Sequence, residues 1–413
     1  MTQIADAPPV RDRSYELKLL VVLTLLNGVV ALDRLTIAFL SPYIVTDMGL
    51  SNAQLGLIAG ALSLAIAFTA FLGGRLADRT GRRKLILLVC MVIFSLASGA
   101  SGLAATFVLL LAVRFLLGAA EGPLVPISLT LIAQSSAPRR RGLNMGIMQM
   151  AGAFLIGGMA GPVIAIGLAE SLGWRPAVML SILPGLLLAV AMYFVIRPDA
   201  ARAPDSAGDE PSFLAALGEL LRIGNMRAAL AIAGLFTAWL VLQNTFLAVF
   251  LTSMKGLTPT ATGWVISMGG LAGVIGGIGL PFLSDRIGRK PVMLGATLAG
   301  MLCPAALLVL PGDPVLLGLA VLAGWIPLGI APLYCAAVPT ESVSPRLAST
   351  AVGLTMGTAE LVGGVIAPSI AGAIADVYSL AAVFWICMGL ALAAAVVALF
   401  LKETAPCKVS GKY

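Results

Sequence analysis

The sequence has 413 residues, of which 59% are hydrophobic and only 11% are charged, and its formal net charge is +7. A soluble domain carries about 25% charged residues. Long apolar runs also exclude a membrane β-barrel, whose strands alternate between apolar and polar residues. The sequence therefore predicts an all-α integral membrane protein. It contains no histidine, which excludes His-based catalysis and assigns any proton handling to carboxylates.

Twelve apolar stretches are long enough to cross a bilayer. They are predicted at residues 17–41, 52–74, 84–104, 106–131, 142–168, 174–196, 228–252, 260–281, 290–311, 314–338, 347–374 and 379–401. The segment before the first stretch lacks the short apolar core of a cleaved signal peptide. Almost all lysine and arginine residues fall in the loops on one side, which places both termini in the cytoplasm. We expect a multi-pass protein of the cell membrane, in bacteria the inner membrane.

Residues 197–227 interrupt the apolar pattern with prolines and acidic residues. They predict a cytoplasmic linker, with a short surface helix near residues 213–221. The linker separates an N-terminal six-helix half at 1–196 from a C-terminal six-helix half at 228–413. Two pairs of related positions, Asp78 with Asp285 and Pro162 with Pro368, are 207 and 206 residues apart. Two motifs at nearly one offset indicate a duplication into pseudo-symmetric halves.

The loop after the second stretch reads GRLADRTGRRK from Gly74 to Lys84. A degenerate copy, PFLSDRIGRK, follows the eighth stretch and has Pro281 where the motif has glycine. With twelve spans split by a central loop, this motif resembles the major facilitator superfamily over nearly the whole chain. The resemblance implies that the loop aspartates and arginines latch the cytoplasmic sides of the two halves. The candidate conformational gate comprises Gly74, Asp78, Arg79, Arg82, Asp285 and Arg286.

Four charged residues lie inside the first and fourth stretches: Asp33, Arg34, Arg114 and Glu121. A charge at bilayer depth costs about 2.5–3.5 kcal/mol on insertion scales. Arg114 and Glu121 are seven residues apart, nearly two helical turns, so both lie on one face, which should line a polar cavity. The four residues are candidates for one network. The alternative is a structural ion-pair cluster that only holds the two helices together.

The patterns LDRxxxA in the first stretch and RFLLGxxEG in the fourth are similar to two branches of the superfamily. One is the anion:cation symporter family and the other the spinster-like lipid transporters. The symporter resemblance implies that Arg34 and Arg114 bind the substrate carboxylate, while Asp33 and Glu121 exchange protons. The charges of these residues are consistent with the roles that the resemblance implies, because the four charges sum to zero when both acids are ionised. Protonation of one acid leaves +1, which an incoming monoanion neutralises.

Other polar residues in apolar stretches extend the candidate site. Gln149, Gln243, Asn244 and Tyr334 are candidates for substrate binding. Glu360 is an acid with no predicted partner that could form a second proton site or bind a substrate hydroxyl or amine. The three consecutive polar residues Gln243, Asn244 and Thr245 are expected on a cavity wall opposite the fourth stretch. Hydrogen bonds between helices and ordinary packing are the alternatives for these residues.

The sequence thus predicts a monomeric, proton-coupled importer of a small organic anion by alternating access. Its partners are the anion, protons and the lipid bilayer, and no nucleic acid, cofactor or metal is expected. We find no nucleophile–base set, metal cluster or phosphate loop, so the sequence does not predict an enzyme. A lipid or drug exporter of the same superfamily and a transport-dead membrane sensor are the alternative functions.

Overall fold

The computed structural model describes residues 12–137, 140–198, 213–344, 347–405 and 408. Within these ranges the chain is helical without β-strands, and twelve helical segments are long and apolar enough to cross a membrane. We call them spans 1 to 12: Arg13–Phe39, Asn52–Ala70, Arg83–Ser101, Phe107–Ser135, Leu143–Leu172, Trp174–Val195, Gly224–Ser253, Pro259–Ile287, Arg289–Val309, Pro314–Ser342, Thr350–Val377 and Ala381–Leu399. The predicted number of spans is confirmed, with ends that differ by a few residues.

Polar residues fix the starts of several spans, because the first backbone N–H groups of a helix have no partner within it. Asp12 accepts hydrogen bonds from Ser14 and Tyr15 at the start of span 1. Ser51 forms a reciprocal capping box with Gln54 at the start of span 2. These caps account for starts that hydropathy alone places only to within a few residues.

Several spans are irregular near the middle of the membrane. Span 4 consists of two helices, Phe107–Glu121 and Leu124–Ser135, which meet at Pro123, a residue with no N–H to donate to the preceding turn. Spans 5 and 11 contain π-helical stretches at Ile147–Ala160 and Ala359–Ile366. Such stretches are rare and are frequently found at functional sites. Within a membrane, irregular backbone is tolerated where it is buried in protein or lines a cavity.

The two halves are packed tightly on one side of the membrane. We call the side on which span 1 begins and span 12 ends the terminal side, and the other the opposite side. Toward the opposite side, Gly56 of span 2 lies directly against the backbone of Pro368 in span 11. Gly158 of span 5 meets Gly270 of span 8 backbone to backbone, so a side chain at either of these glycines would overlap its neighbour. These crossings close the opposite side.

On the terminal side the halves diverge. Arg141–Gly146, which leads into span 5, and Ala348–Thr358 of span 11 pack on helices of their own half, with at most isolated contacts to the other half in the described part of the chain. A Cβ added to Gly146, Gly353 or Gly357 would meet nothing within 4 Å. Among the described residues, the helices of the two halves therefore lie apart on the terminal side and close together on the opposite side.

The linker contains the expected short helix, observed at Phe213–Arg222. Residues 199–212 lie outside the described residues. The boundaries at 196 and 228 stay a prediction.

Candidate functional site

A cavity of about 330 Å³ lies between the two halves. It is lined by residues of spans 1, 4 and 5 from the N-terminal half and of spans 7, 8, 10 and 11 from the C-terminal half. Six lining residues have polar side chains able to form hydrogen bonds or ion pairs: Asn27, Arg34, Glu121, Thr237, Asn244 and Glu360. A smaller adjoining cavity of about 80 Å³ shares Arg34 and Asn244 with it and is also lined by Arg114.

Arg34 is the charged residue at the centre of the site. Its Nη1 lies 3.5 Å from Oε1 of Glu121 in span 4, and its Nη2 lies 3.2 Å from Oε2 of Glu360 in span 11. Its Nη2 also lies 3.5 Å from the hydroxyl of Ser63. The Arg34 side chain is 31% exposed, whereas Glu121 is 5% exposed. Arg34 therefore joins the two halves and still presents part of its guanidinium group to the cavity.

Glu360 was expected to have no partner, and this expectation is wrong. The guanidinium of Arg34 contacts both of its carboxylate oxygens, at 3.3 and 3.2 Å. The contact joins residues 326 positions apart in the sequence, and the π-helical stretch of span 11 carries Glu360. The ionic network accordingly has five members instead of four.

Asp33 and Arg114 form a second, more deeply buried pair. Nη1 of Arg114 lies 3.7 Å from Oδ2 of Asp33, and Nη2 donates to the backbone carbonyl of Arg34 at 3.1 Å. Asp33 also accepts a hydrogen bond from Ser98. Adjacent helical residues point about 100° apart, which is why Asp33 and Arg34 face different partners. Arg114 lines the smaller cavity and holds the backbone of Arg34 in place.

The charges of the five residues sum to −1 when all are ionised, because three acids face two arginines. One bound proton makes the network neutral, and a second leaves +1. Oε2 of Glu121 is buried without a hydrogen-bond partner, as is Oδ2 of Asp33. Both oxygens are therefore positions at which a proton would not displace an existing hydrogen bond.

Of the other predicted binding residues, only Asn244 lines the cavities. Gln243 points away from them, and its Oε1 accepts a hydrogen bond from Nε1 of Trp325 at 3.0 Å. The expectation of a wall formed by three consecutive residues is therefore wrong for Gln243, whereas Asn244 lines both cavities and Thr245 lines the smaller one. Tyr334 is buried against Thr237, with 3.4 Å between the two hydroxyls, and Gln149 is half-buried away from the cavity lining.

Two polar lining residues, Asn27 and Thr237, were missed by the sequence analysis. Asn27 precedes Arg34 by seven residues and so shares its helix face, a signal present in the sequence. Its Nδ2 donates to the carbonyls of Met148 and Gln149 at 3.1 and 2.8 Å. Both carbonyls lie in the first turn of the π-helical stretch of span 5, which Asn27 thus helps to hold against span 1.

The described gate residues on the terminal side contact their own half. Oδ1 of Asp285 lies 2.5 Å from Nη1 of Arg289, whose Nη2 is 2.8 Å from Glu341. The guanidinium of Arg286 lies 4.1 Å from the ring centre of Phe282. The positions Arg79 and Arg82 are exposed. The surroundings of Gly74 and the side chain of Asp78 lie outside the described part of the chain.

Glu403 secures the start of span 9 on the same side. Its carboxylate accepts hydrogen bonds from the backbone N–H groups of Arg289 and Lys290, at 2.7 and 3.3 Å. Burial raises the pKa of the Glu403 carboxyl, but these bonds and those from Thr404 and Ala405 outweigh it and hold the pKa below its usual range. Glu403 therefore stays ionised near neutral pH at a helix N-terminus, where negative charge is stabilising.

Two carboxylates join the halves on the opposite side. Asp376, at the end of span 11, accepts from the backbone N–H groups of Asn52 and Ala53 at 2.8 and 2.9 Å. Glu170, at the end of span 5, accepts from the hydroxyl of Thr260 at 2.9 Å. Glu170 and Asp376 are 206 positions apart and Ala53 and Thr260 are 207 apart. At these related positions each half thus contributes an acid that contacts the first turn of a helix in the other half, through backbone N–H groups at Asp376 and through a hydroxyl at Glu170.

We expect Asp376→Ala to open the opposite side. Loss of a capping carboxylate destabilises a helix start by about 1 kcal/mol, which corresponds to a roughly fivefold larger population of the state open to that side. Spin labels on the exposed residues Thr46 and Tyr378, in a background with the native cysteines replaced, report the distance between the halves. Asp313→Ala is the control, because Asp313 caps span 10 on the same side without joining the halves. An equal shift in both variants would contradict the prediction.

Twelve spans around a charged cavity, closed on one side and open on the other, define a polytopic membrane transporter. The model of the Major Facilitator Superfamily matches residues 23–366 and 242–411, and the chain belongs to this superfamily.

Its relatives include transporters of organic acids. The chain is similar to a hexuronate transporter of Bacillus subtilis (strain 168), with 30% identity over 311 residues, 71% of this chain and 72% of the relative. It is also similar to a 4-hydroxybenzoate transporter of Pseudomonas aeruginosa, with 31% identity over 188 residues, 46% of this chain and 41% of the relative.

Among solved structures, the fold matches a bacterial homologue of the human lysosomal transporter Spinster in its inward-facing, unoccupied conformation. The TM-score is 0.71 at 20% sequence identity, over 94% of this chain and 95% of that chain. At this identity the match concerns the fold alone.

Proposed function

We propose that this protein imports a small organic anion together with protons, by alternating access of its two halves. The observation that carries the proposal is Arg34, which is partly exposed in the central cavity and paired with one acid from each half. A guanidinium group binds a carboxylate through parallel N–H donors. Relatives named for hexuronate and 4-hydroxybenzoate, both carboxylates, support the same class of substrate.

Proton coupling follows from competition for Arg34. A substrate carboxylate that binds Arg34 must take the place of Glu121 or Glu360, and an ionised acid left without its partner in a low dielectric is unfavourable. Protonation of that acid removes the penalty. In this proposal Asp33, Glu121 and Glu360 are the proton-accepting groups, Arg34 is the direct ligand of the anion and Arg114 positions it.

The Arg34–Glu360 pair also links substrate binding to movement of the halves, because its two residues belong to spans 1 and 11. In the proposed orientation the terminal side faces the cytoplasm of the cell, so the observed opening is the state from which substrate leaves. The loop residues Gly74, Asp78, Arg79, Arg82, Asp285 and Arg286 would latch that side in the alternate state. A monomer is sufficient for this cycle, since the cavity is built from one chain.

Uptake into proteoliposomes tests the proposal. We expect at least one small carboxylate from a panel to stabilise the purified protein thermally and to accumulate inside when the outside is more acidic. Accumulation that ignores an imposed pH gradient would overturn the coupling, and a panel in which no carboxylate binds would overturn the substrate class.

The apolar part of the cavity wall, which includes Leu35, Leu240 and Leu328, is the observation that favours export of a lipid or drug. Such a substrate needs no guanidinium ligand, so its transport would tolerate Arg34→Ala. Ligand binding without flux in proteoliposomes would instead support the transport-dead sensor.

A further inference from the structure

The cavity has aromatic and aliphatic walls with few uncommitted polar groups. Phe39, Phe154 and Trp325 contribute aromatic side chains to its lining. Among its neutral polar residues, Asn27 already donates to two backbone carbonyls, and Thr237 is paired with the hydroxyl of Tyr334.

Asn244 is different, because its side chain makes no hydrogen bond within the described part of the chain, although it lines both cavities. Apart from the ionic network, the two cavities therefore offer a ligand the free amide group of Asn244 and the hydroxyl of Thr245, which lines the smaller cavity. Such an amide accepts hydrogen bonds at its oxygen and donates up to two from its nitrogen.

The small number of free polar groups in the site should distinguish between two kinds of carboxylate substrate. A sugar acid carries several hydroxyl groups besides its carboxylate, and each hydroxyl left unpartnered in an apolar site lowers affinity by roughly fivefold or more. A carboxylate on an aromatic ring has a flat apolar body and few or no further polar groups. Its ring would replace water on the apolar walls without leaving hydroxyl groups unpaired.

The two aromatic walls are held in fixed positions by span 8. The ring of Trp325 lies on Gly269, and the ring of Phe154 lies on Gly273 one turn further along. A methyl group at either glycine would overlap the ring atoms. Gln243 fixes the Trp325 indole through the hydrogen bond to its Nε1, so Gln243 is a positioning residue for this wall.

We propose that the cavity selects carboxylates carried on an aromatic ring over polyhydroxylated sugar acids. Arg34 binds the carboxylate, Phe154 and Trp325 contact the ring, and Asn244 binds a ring hydroxyl or ring nitrogen. This inference rests on the proposed function, because it names the substrate class of the same site.

Equilibrium binding to the purified full chain tests the selection. The probes are benzoate, cyclohexanecarboxylate and glucuronate, which share one carboxylate and differ in the body that carries it. We expect benzoate to bind about three- to tenfold more tightly than cyclohexanecarboxylate, the range of an aromatic pair, and glucuronate to bind at least tenfold more weakly than benzoate. Glucuronate binding as tight as that of benzoate would overturn this inference and leave the proposed function standing. Absence of binding by every probe would overturn both.

Two variants separate ring contact from general packing. Phe154→Leu keeps an apolar wall, and we expect it to weaken benzoate binding about three- to tenfold without changing that of cyclohexanecarboxylate. Phe68→Leu is the matched control, since Phe68 is 63% exposed on the outer surface of span 2. Asn244→Ala should abolish any preference for 4-hydroxybenzoate over benzoate. Equal losses for both ring types in Phe154→Leu, with an unchanged melting temperature, would refute the aromatic contact.

Discussion

Arg34→Ala is expected to weaken binding of the substrate anion by at least about 30-fold. Removal of one partner of a buried charge pair lowers binding by about 2–5 kcal/mol, and every 1.36 kcal/mol is a factor of ten. Arg34 is the guanidinium group that faces the larger cavity, whereas Arg114 is 3% exposed and directed at Asp33 and a backbone carbonyl. Equilibrium binding to protein in detergent measures the effect without requiring transport.

Three comparisons keep this prediction specific. Arg13→Ala removes a charge from the exposed start of the same helix and should leave binding unchanged. The double variant Arg34→Ala/Glu360→Gln removes one of the two acids that lose their partner in Arg34→Ala, so it should be more stable than Arg34→Ala and still fail to bind. Arg114→Ala should lower thermal stability as well as affinity, because it leaves the carboxylate of Asp33 buried without its counter-charge. Binding that survives in the double variant would rule out Arg34 as the ligand.

The fold could be predicted because its dominant signal is local. An apolar run of about twenty residues has to span the bilayer as a helix, and the repeat between Pro162 and Pro368 is visible in the sequence. The interruptions within these helices were harder to predict from the sequence. Pro123 marks the break in span 4, but no local pattern marks the π-helical stretches, one of which Asn27 contacts from another span.

The candidate site could be predicted only in part, for a related reason. Charges within apolar runs identify Asp33, Arg34, Arg114 and Glu121 without reference to a structure. Their partners depend on how the halves pack, and no local pattern places Glu360 beside Arg34. The direction of Gln243 depends likewise on Trp325, a residue of another span.

Glu121→Gln is expected to remove the response of transport to a pH gradient while exchange of anions continues. With glutamine at this position the other four charges sum to zero at full ionisation, which is the state that wild-type protein reaches by binding one proton. A cycle that moves one proton with each monoanion is electroneutral and accumulates the anion tenfold per pH unit, because one unit of pH equals 1.36 kcal/mol. The variant should show a ratio near one under the same gradient, measured with labelled substrate in proteoliposomes.

The comparison with Glu360→Gln decides which acid carries the transported proton. Glu360 is 26% exposed and both of its oxygens contact Arg34, whereas Glu121 is 5% exposed and has one buried oxygen without a hydrogen-bond partner. Protonation of Glu121 therefore breaks fewer contacts, and Glu360→Gln should retain part of the gradient response. Glu219→Gln, on the exposed face of the linker helix, serves as the control and should accumulate substrate like the wild type. Tenfold accumulation of substrate by Glu121→Gln, together with an accumulation ratio of one for Glu360→Gln, would assign the transported proton to Glu360. The acid whose contact with Arg34 joins the two halves would then be the one that binds and releases the proton.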